Sequence, residues 1–166
     1  RASDGIVIIQ DKKIKYANPK LAEMIGVSLD SVINKPFLRY VHPSELKNVI
    51  KNYLRRMSGK EVPAIYESAL KKKNGDKIPV ELNAGIVNYQ GGKADMVIVR
   101  DITERKKSID ELKNKMEEVR VEKDKIKTIV EGIGDGVFVV DKNLKITLFN
   151  PIASQISGFS EKEVLG

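Results

Sequence analysis

The spacing of hydrophobic residues changes several times over the first hundred positions, which predicts a mixture of strands and helices. Short β-branched runs at 5–10 and 14–17 flank a polar turn at 11–13, a pattern typical of a β-hairpin. The segment 77–89 alternates apolar and polar residues, as a strand with one buried face does. The segment 43–57 instead repeats apolar residues every three or four positions, which indicates an amphipathic helix. Its apolar positions are Leu46, Val49, Ile50, Tyr53, Leu54 and Met57.

Turn-forming residues separate the remaining elements of this region. An Asn-Pro step at 18–19 begins a short helix, and an Asn-Gly step at 74–75 predicts a tight turn between strands 63–73 and 77–89. A last strand is expected at 95–100. Strands early and late, with helices between them, predict an α+β fold with an antiparallel sheet.

The opening motif of the chain recurs near its C terminus. The Asp-Gly step at 4–5, followed by four hydrophobic residues, returns at 135–136, and the Asn-Pro step at 18–19 returns at 150–151. The second copy stops at about a third of the length of the first. We therefore expect one whole copy, a connector, and the beginning of another copy.

The connector between the two copies carries a heptad repeat of apolar residues and contains neither Gly nor Pro. Because an isolated rod would leave its apolar seam in water, we predict a parallel homodimer through a coiled coil. The alternative is a single helix that folds back on its own domain. Lys123, in a core position, would weaken the pairing but help to fix its register. The predicted interface consists of Ile109, Leu112, Met116, Val119, Lys123 and Ile126.

The truncated second copy poses a physical problem. About 35 residues with two strands and a short helix bury too little surface to close a core. We therefore expect its strands, 137–140 and 146–149, to pack against the matching segment of a second chain. The first residue is Arg1 rather than Met, which indicates a piece of a longer protein.

Composition and charge exclude several functions. With no Cys and one His, the chain has no thiolate chemistry and no metal motif built on two histidines. Residues 1–100 hold 18 basic against 10 acidic side chains, but they are scattered, and the dense run 71–73 lacks interleaved aromatic residues. We therefore expect no nucleic-acid partner. No apolar run reaches about 18 residues, so we expect no membrane segment and a cytoplasmic location.

Seven short motifs in the first copy, taken in order, resemble those of a PAS domain. The resemblance implies a five-stranded antiparallel sheet with helices on one face, a ligand-sized pocket between the sheet and the long helix, and a C-terminal signalling helix. It divides the chain into a PAS domain at 1–102, a coiled-coil helix at 103–131 and the N-terminal part of a second PAS domain at 132–166. The motifs are Asp4-Gly5, Asn18-Pro19, Gly26, Val41-His42-Pro43-Ser44-Glu45, Asn74-Gly75-Asp76, Pro79-Val80-Glu81-Leu82 and Arg100-Asp101-Ile102-Thr103-Glu104-Arg105-Lys106.

The cofactors of this family can be tested against the residues present. A Cys-linked flavin or chromophore is excluded because the chain has no Cys. Haem sensors of this fold use a His in the middle of the long helix, where this chain has Asn48, Val49 and Ile50, so haem is not expected. We interpret His42, at the helix start, as a structural cap. The cofactor stays unknown.

Strand alternation together with the resemblance defines a candidate ligand pocket. Tyr53, Tyr66 and Ser68 are its polar members, which would orient a small, mostly apolar ligand. If these residues instead fill the core, the domain is a ligand-free interaction and relay module. The candidate residues are Val49, Tyr53, Tyr66, Ser68, Leu82, Ala84, Val97 and Val99.

Asp101 and Thr103 mark the step from the last strand to the connector helix. One interpretation is a helix cap in which Asp101 accepts a backbone hydrogen bond and Glu104 reaches back; the other is a relay that couples the sheet to the rod. With no nucleophile–base pair and no phosphate loop, the chain is predicted to be non-catalytic. We predict a sensory module, as in sensor histidine kinases. The alternative is a ligand-free dimerisation module of a transcription regulator or a cyclic-dinucleotide enzyme.

Overall fold

The computed structural model describes residues 3–165, which divide into a first unit ending at residue 108 and a second unit starting at 109. The first unit contains one five-stranded antiparallel sheet in the order β2-β1-β5-β4-β3. This sheet confirms the predicted α+β class. Its strands are β1 (Gly5–Gln10), β2 (Lys13–Ala17), β3 (Ile65–Lys71), β4 (Lys77–Tyr89) and β5 (Gly92–Asp101).

Three helices and two 3-10 turns connect β2 to β3. The Asn18 side chain caps the first helix, and Gly26 ends it in the left-handed conformation with φ of 72°. The core forms between these helices and alternate positions of the strands. The helices are α1 (Pro19–Ile25), α2 (Leu29–Val32) and α3 (Leu46–Met57), and the turns are Phe37–Tyr40 and Pro43–Glu45.

The buried face of α3 differs from the predicted apolar stripe. Val49 and Tyr53 are buried as expected, but Asn52 and Arg56 are buried too, while Leu54 is 47% exposed. The stripe prediction is therefore confirmed for Val49 and Tyr53, with Leu46 and Met57 packed against the core, and it is wrong for Leu54. A charged side chain can leave water only when a partner compensates for its lost hydration, and the partner of Arg56 is described below.

The second unit begins within helix α4 (Thr103–Gly132), which carries the heptad positions. A two-stranded antiparallel sheet of β6 (Phe138–Val140) and β7 (Ile146–Phe149) follows, with the helices α5 (Pro151–Ser157) and α6 (Glu161–Val164). Between residues 109 and 165, only Asn150 and Ala153 are buried. Within the described part of the chain, no helix has the length and apolar content needed to cross a bilayer.

Candidate ligand cavity and helix junction

A largely apolar cavity of about 60 Å³ lies between the sheet and the helices of the first unit. It is smaller than the roughly 300–1,000 Å³ of typical ligand sites, and at about 10–15 Å³ per water it has room for about four to six non-hydrogen atoms. Six of the residues expected from the sequence border it, whereas Ser68 and Ala84 do not. The six are Val49, Tyr53, Tyr66, Leu82, Val97 and Val99.

The placement of Ser68 and Ala84 follows from the length of their side chains. Both are buried on the core side of the sheet, where Ser68 pairs with Val80 and Ala84 with Val97. Their side chains are short, so the longer Tyr66 and Leu82, one pleat away on the same strands, form the wall instead. The Ser68 hydroxyl is buried without a hydrogen-bond partner in the structure.

A buried ion pair between α3 and β5 forms the polar end of the cavity. Nη1 of Arg56 donates to Oδ2 of Asp95 at 2.7 Å, and both residues border the cavity. Nη2 of Arg56 and Oδ1 of Asp95 are buried without a hydrogen-bond partner. Burial raises the pKa of the Asp95 carboxyl, and the charge of Arg56 opposes that rise.

Sequence reasoning missed the Arg56–Asp95 pair, although both residues carry a signal. Asp95 alternates with Val97 and Val99, which places it on the core side of β5, and Arg56 follows Tyr53 by one helical turn. Neither residue is among the candidate residues predicted from the sequence. Because the two residues are 39 positions apart, no local pattern indicates that the charge of each compensates for the hydration that the other loses on burial.

Two of the three tyrosines that border the cavity, Tyr53 and Tyr66, make different contacts. The hydroxyl oxygen of Tyr53 accepts a hydrogen bond from the Lys12 backbone N–H at 3.2 Å, and its ring packs against Phe37 with the centroids 4.9 Å apart. Tyr53 therefore helps to hold the β1–β2 turn. Burial raises the pKa of the Tyr66 phenol, and the neighbouring Arg56 and Asn52 side chains oppose the rise. Burial also raises the pKa of Tyr53, so both phenols stay neutral near pH 7.

His42 lies outside the cavity wall and caps a 3-10 turn. Its Nδ1 accepts a hydrogen bond from the Ser44 backbone N–H at 3.3 Å and lies 2.9 Å from the Ser44 hydroxyl. This confirms its interpretation as a structural cap. Within residues 3–165, no group of three metal-ligating side chains comes together.

The junction between β5 and α4 is held by one backbone cap. Oδ1 of Asp101 accepts a hydrogen bond from the Thr103 backbone N–H at 2.8 Å, while Asp101 still pairs with Val80 as the last residue of β5. The predicted reach of Glu104 back to Asp101 is wrong, since the Glu104 carboxylate contacts Lys107 at 3.1 Å. Lys107 is three residues further along the helix, a spacing that places the two side chains side by side on its exposed face.

Ion pairs tie the first turns of α4 to the sheet. Glu67, Glu81 and Arg100 lie directly opposite one another across β3, β4 and β5. Nζ of Lys106 lies 2.6 Å from Glu67, and Nη1 of Arg105 lies 3.5 Å from Glu81. The hydrogen bond from Lys106 holds the pKa of Glu67 below its usual value. The helix thus starts in contact with three strands of the sheet.

Further along α4, all six predicted interface residues are exposed in this single chain. The exposed fraction of the apolar members runs from 42% at Ile109 to 65% at Met116 and Val119. Val121 and Ile129, outside the heptad core positions, are exposed as well. The chain therefore presents an uncovered apolar surface along this helix.

Comparison with known proteins identifies the family of the first unit. A family model described as a PAS domain matches residues 3–104, more than half of the chain, and a second model, described as a PAS fold, matches residues 124–166. The chain therefore belongs to the PAS domain family. Domains of this family are generally sensory, non-catalytic modules.

Individual relatives place such domains in signalling proteins. Over 56 residues the chain is 36% identical to the probable diguanylate cyclase DgcE of Escherichia coli K12, a match that covers 34% of this chain and 5% of that protein. A domain of a sensory box sensor histidine kinase/response regulator from Geobacter sulfurreducens has a TM-score of 0.50 and 24% identity, covering 61% of this chain and 85% of its own.

A second similar structure contains a bound molecule. The PAS domain of the Cronobacter turicensis RpfR quorum-sensing receptor, in complex with C12:0, has a TM-score of 0.54 and 19% identity. The match covers 62% of this chain and 97% of that one. At these identities the likeness of the two solved structures concerns the fold.

Proposed function

We propose that this chain detects a small, mostly apolar ligand in the cavity of its first unit and relays the signal through α4. The observation that carries the proposal is the continuity of β5. Asp95, Val97 and Val99 border the cavity, and the same strand ends at Asp101, directly before α4 begins at Thr103. A ligand that shifts β5 therefore shifts the start of the helix.

The relay requires a partner for α4, and we propose a second copy of the chain in parallel register. The support is the heptad repeat, whose apolar members are exposed in the single chain. A parallel pair brings the same helix position of both copies together, so a shift at Thr103 is passed along the rod. Asp101 and the ion pairs at the junction are the contacts through which β5 would act on the helix.

The domain organisation belongs to the same proposal. A PAS domain at 1–102 would pass its signal along a helix at 103–131 to a second PAS domain that begins at 132. The hairpin of β6 and β7 would pack against its counterpart in the partner chain, which would cover the exposed β6 and the half-buried β7. An output domain of the parent protein, such as a histidine kinase, would receive the signal.

A ligand-free dimerisation module is the second candidate function, and the cavity volume favours it. About 60 Å³ is far below the usual size of a ligand site, so the core could be complete without a ligand. In that case a protein partner would shift the sheet, and the parent would be a transcription regulator or a cyclic-dinucleotide enzyme.

Single-cysteine crosslinking tests the dimer cleanly, because the natural chain has no cysteine. Ile109→Cys and Ile126→Cys lie near opposite ends of the predicted seam. In a parallel, in-register pair, the new cysteine of each variant lies opposite the same cysteine of the partner chain, and the two form a disulfide. In an antiparallel pair these equivalent cysteines are far apart and neither variant forms one. Asn114→Cys, on the outer side of the heptad, is the matched control and should stay reduced. If the control variant formed its disulfide at the same rate, the proposed parallel, in-register pairing would be contradicted.

Native mass spectrometry of the chain separates the two candidate functions. A dimer with additional mass supports ligand sensing and begins to identify the ligand. A dimer without additional mass favours the ligand-free module. A monomer at micromolar concentration would contradict both forms of the proposal.

A further inference from the structure

The geometry points to a ligand with one neutral polar group that both donates and accepts a hydrogen bond, a hydroxyl or a carboxamide, held by the Arg56–Asp95 pair. This inference rests on the proposed function, because it names the chemistry of the ligand in the same cavity. Its structural basis is an ion pair whose hydrogen-bonding capacity is half used.

The Arg56–Asp95 pair makes one contact where its chemistry allows two. Arginine and carboxylate groups frequently form two parallel hydrogen bonds, but here only Nη1 and Oδ2 meet, at 2.7 Å. Arg56 is 7% exposed and Asp95 is 1% exposed, so water reaches neither side chain freely. A buried donor or acceptor without a partner is costly. Nη2 and Oδ1 are therefore an unpartnered donor and an unpartnered acceptor on two residues that border the cavity.

The charge of the pair decides which ligand group fits. Arg56 and Asp95 neutralise each other, so a ligand carboxylate would bring a second negative charge beside Asp95, and an ammonium a second positive charge beside Arg56. Either charge would be buried without a counterion of its own. A hydroxyl or a carboxamide can accept from Nη2 and donate to Oδ1 with no net charge added.

The rest of the cavity limits the size of the ligand. Its other walls are aliphatic or aromatic, for example Ile9, Ile14 and Val97, and they offer contact to a short hydrocarbon group. The volume of about 60 Å³ corresponds to about four to six non-hydrogen atoms. The ligand class is therefore a small alcohol or amide with one short apolar end.

Three probes of similar size test this inference on the chain as it is. Butan-1-ol can donate and accept, its isomer methyl propyl ether can only accept, and butanoate carries a charge. Binding is followed by the methyl NMR signals of Leu82, Val97 and Val99, which border the cavity. We expect saturable chemical-shift changes with butan-1-ol. The dissociation constants of the ether and of butanoate should exceed that of butan-1-ol by a factor of about ten or more.

The double variant R56M/D95L provides the matched test of the pair, since it removes both charges and leaves none buried. Its preference for butan-1-ol over methyl propyl ether should disappear. The control R120M/E117L makes equivalent changes at an exposed ion pair of α4 and should keep the preference. Even if the double variant does not fold, the inference is decided by the ratio of the dissociation constants of methyl propyl ether and butan-1-ol in the natural chain.

The outcomes separate this inference from the function on which it rests. If none of the probes produces saturable shifts, both small-ligand sensing and the head-group assignment are overturned. If the ether binds as tightly as the alcohol, or butanoate binds most tightly, the cavity binds ligands but the head-group assignment is wrong. A preference for the alcohol that survives in R56M/D95L would also overturn it.

Discussion

The two units of this chain contain the same motif, yet among the described residues only the first has a hydrophobic core. In the first unit, Oδ1 of Asn18 accepts hydrogen bonds from the backbone N–H groups of Ile6 and Leu21. In the second unit, Oδ1 of Asn150 accepts from the corresponding Val137 and Ala153. The local hydrogen-bond frame is therefore the same, and it forms within about fifteen residues of chain.

Burial of the strands is where the two units differ. Val7 is 6% exposed, and its counterpart Phe138 is 60% exposed. Strand β1 pairs with β5 and packs against α1, and α3 packs against β5, whereas among the described residues β6 pairs only with β7. The comparison teaches that capping and hairpin formation are local, while a core needs strands contributed from about ninety residues further along.

Asn150 has one contact that Asn18 lacks. Its Nδ2 donates to the backbone carbonyl of Val130, in the last turn of α4, at 3.1 Å, as well as to that of Asp135. The cap of the second unit is thus joined to the end of the helix that enters it. The start of the same helix is joined to the first unit through Asp101.

The largest effect is expected where the first unit has a feature that the second lacks, the buried ion pair. Arg56→Ala leaves the Asp95 carboxylate buried without its partner and should lower the free energy of unfolding by about 3–5 kcal/mol. R56M/D95L should cost much less, because no charge stays buried. Urea unfolding followed by tyrosine fluorescence measures this, since all five tyrosines lie in the first unit. Equal losses in both variants would contradict the argument.

The next effect compares equivalent positions in the two units. Ile9→Ala removes a buried side chain that is 5% exposed and should lower the stability of the first unit by about 3 kcal/mol. Val140→Ala, at the matching position, is 44% exposed and should change stability by about 0.5 kcal/mol or less. The urea dependence of the amide NMR signals of each unit reports both values. A comparable loss at Val140 would mean that β6 is covered in solution, as the proposed dimer requires.

A smaller effect is expected at the start of α4. Asp101→Ala removes the acceptor for the Thr103 N–H and should cost about 1 kcal/mol. Asp110→Ala, an exposed substitution on the same helix, is the control. Kinase or reporter output of the parent protein tests the relay: unchanged output in a folded Asp101→Ala protein would leave Asp101 as a cap and nothing more.

The smallest effect concerns pH. Burial raises the pKa of Asp95 above its ordinary value of 3.8, so the folded state binds this proton more tightly than the unfolded state does. The resulting stabilisation is fully present below about pH 3.8 and is lost as pH rises through the folded-state pKa. The carboxyl ¹³C shift of Asp95 should therefore titrate with a midpoint above 3.8, and higher still in Arg56→Met. A midpoint below 3.8 would mean that the attraction of Arg56 outweighs burial.

Local signals predicted most of the fold. The Asn-Pro step at 18–19, the Asn-Gly turn at 74–75 and the alternation of 77–89 each depend on residues close in sequence, and each element appears in the structure. The burial of Asn52 and Arg56 on α3 was not predictable in this way. The charge of Arg56 leaves water because Asp95, on a distant strand, compensates for its lost hydration.

By itself, the sequence determined the strand and helix positions, the repeated capping motif and the membership of the PAS family, because hydrogen-bonded turns and periodic patterns act over a few residues. The tertiary structure alone decided that Arg56 is buried beside the apolar face of α3, how large the cavity is, and that Arg56 and Asp95 form its polar end. These properties depend on how side chains from all five strands and from α1 and α3 pack together. A charged residue is stable inside the protein only if the whole fold brings it a partner.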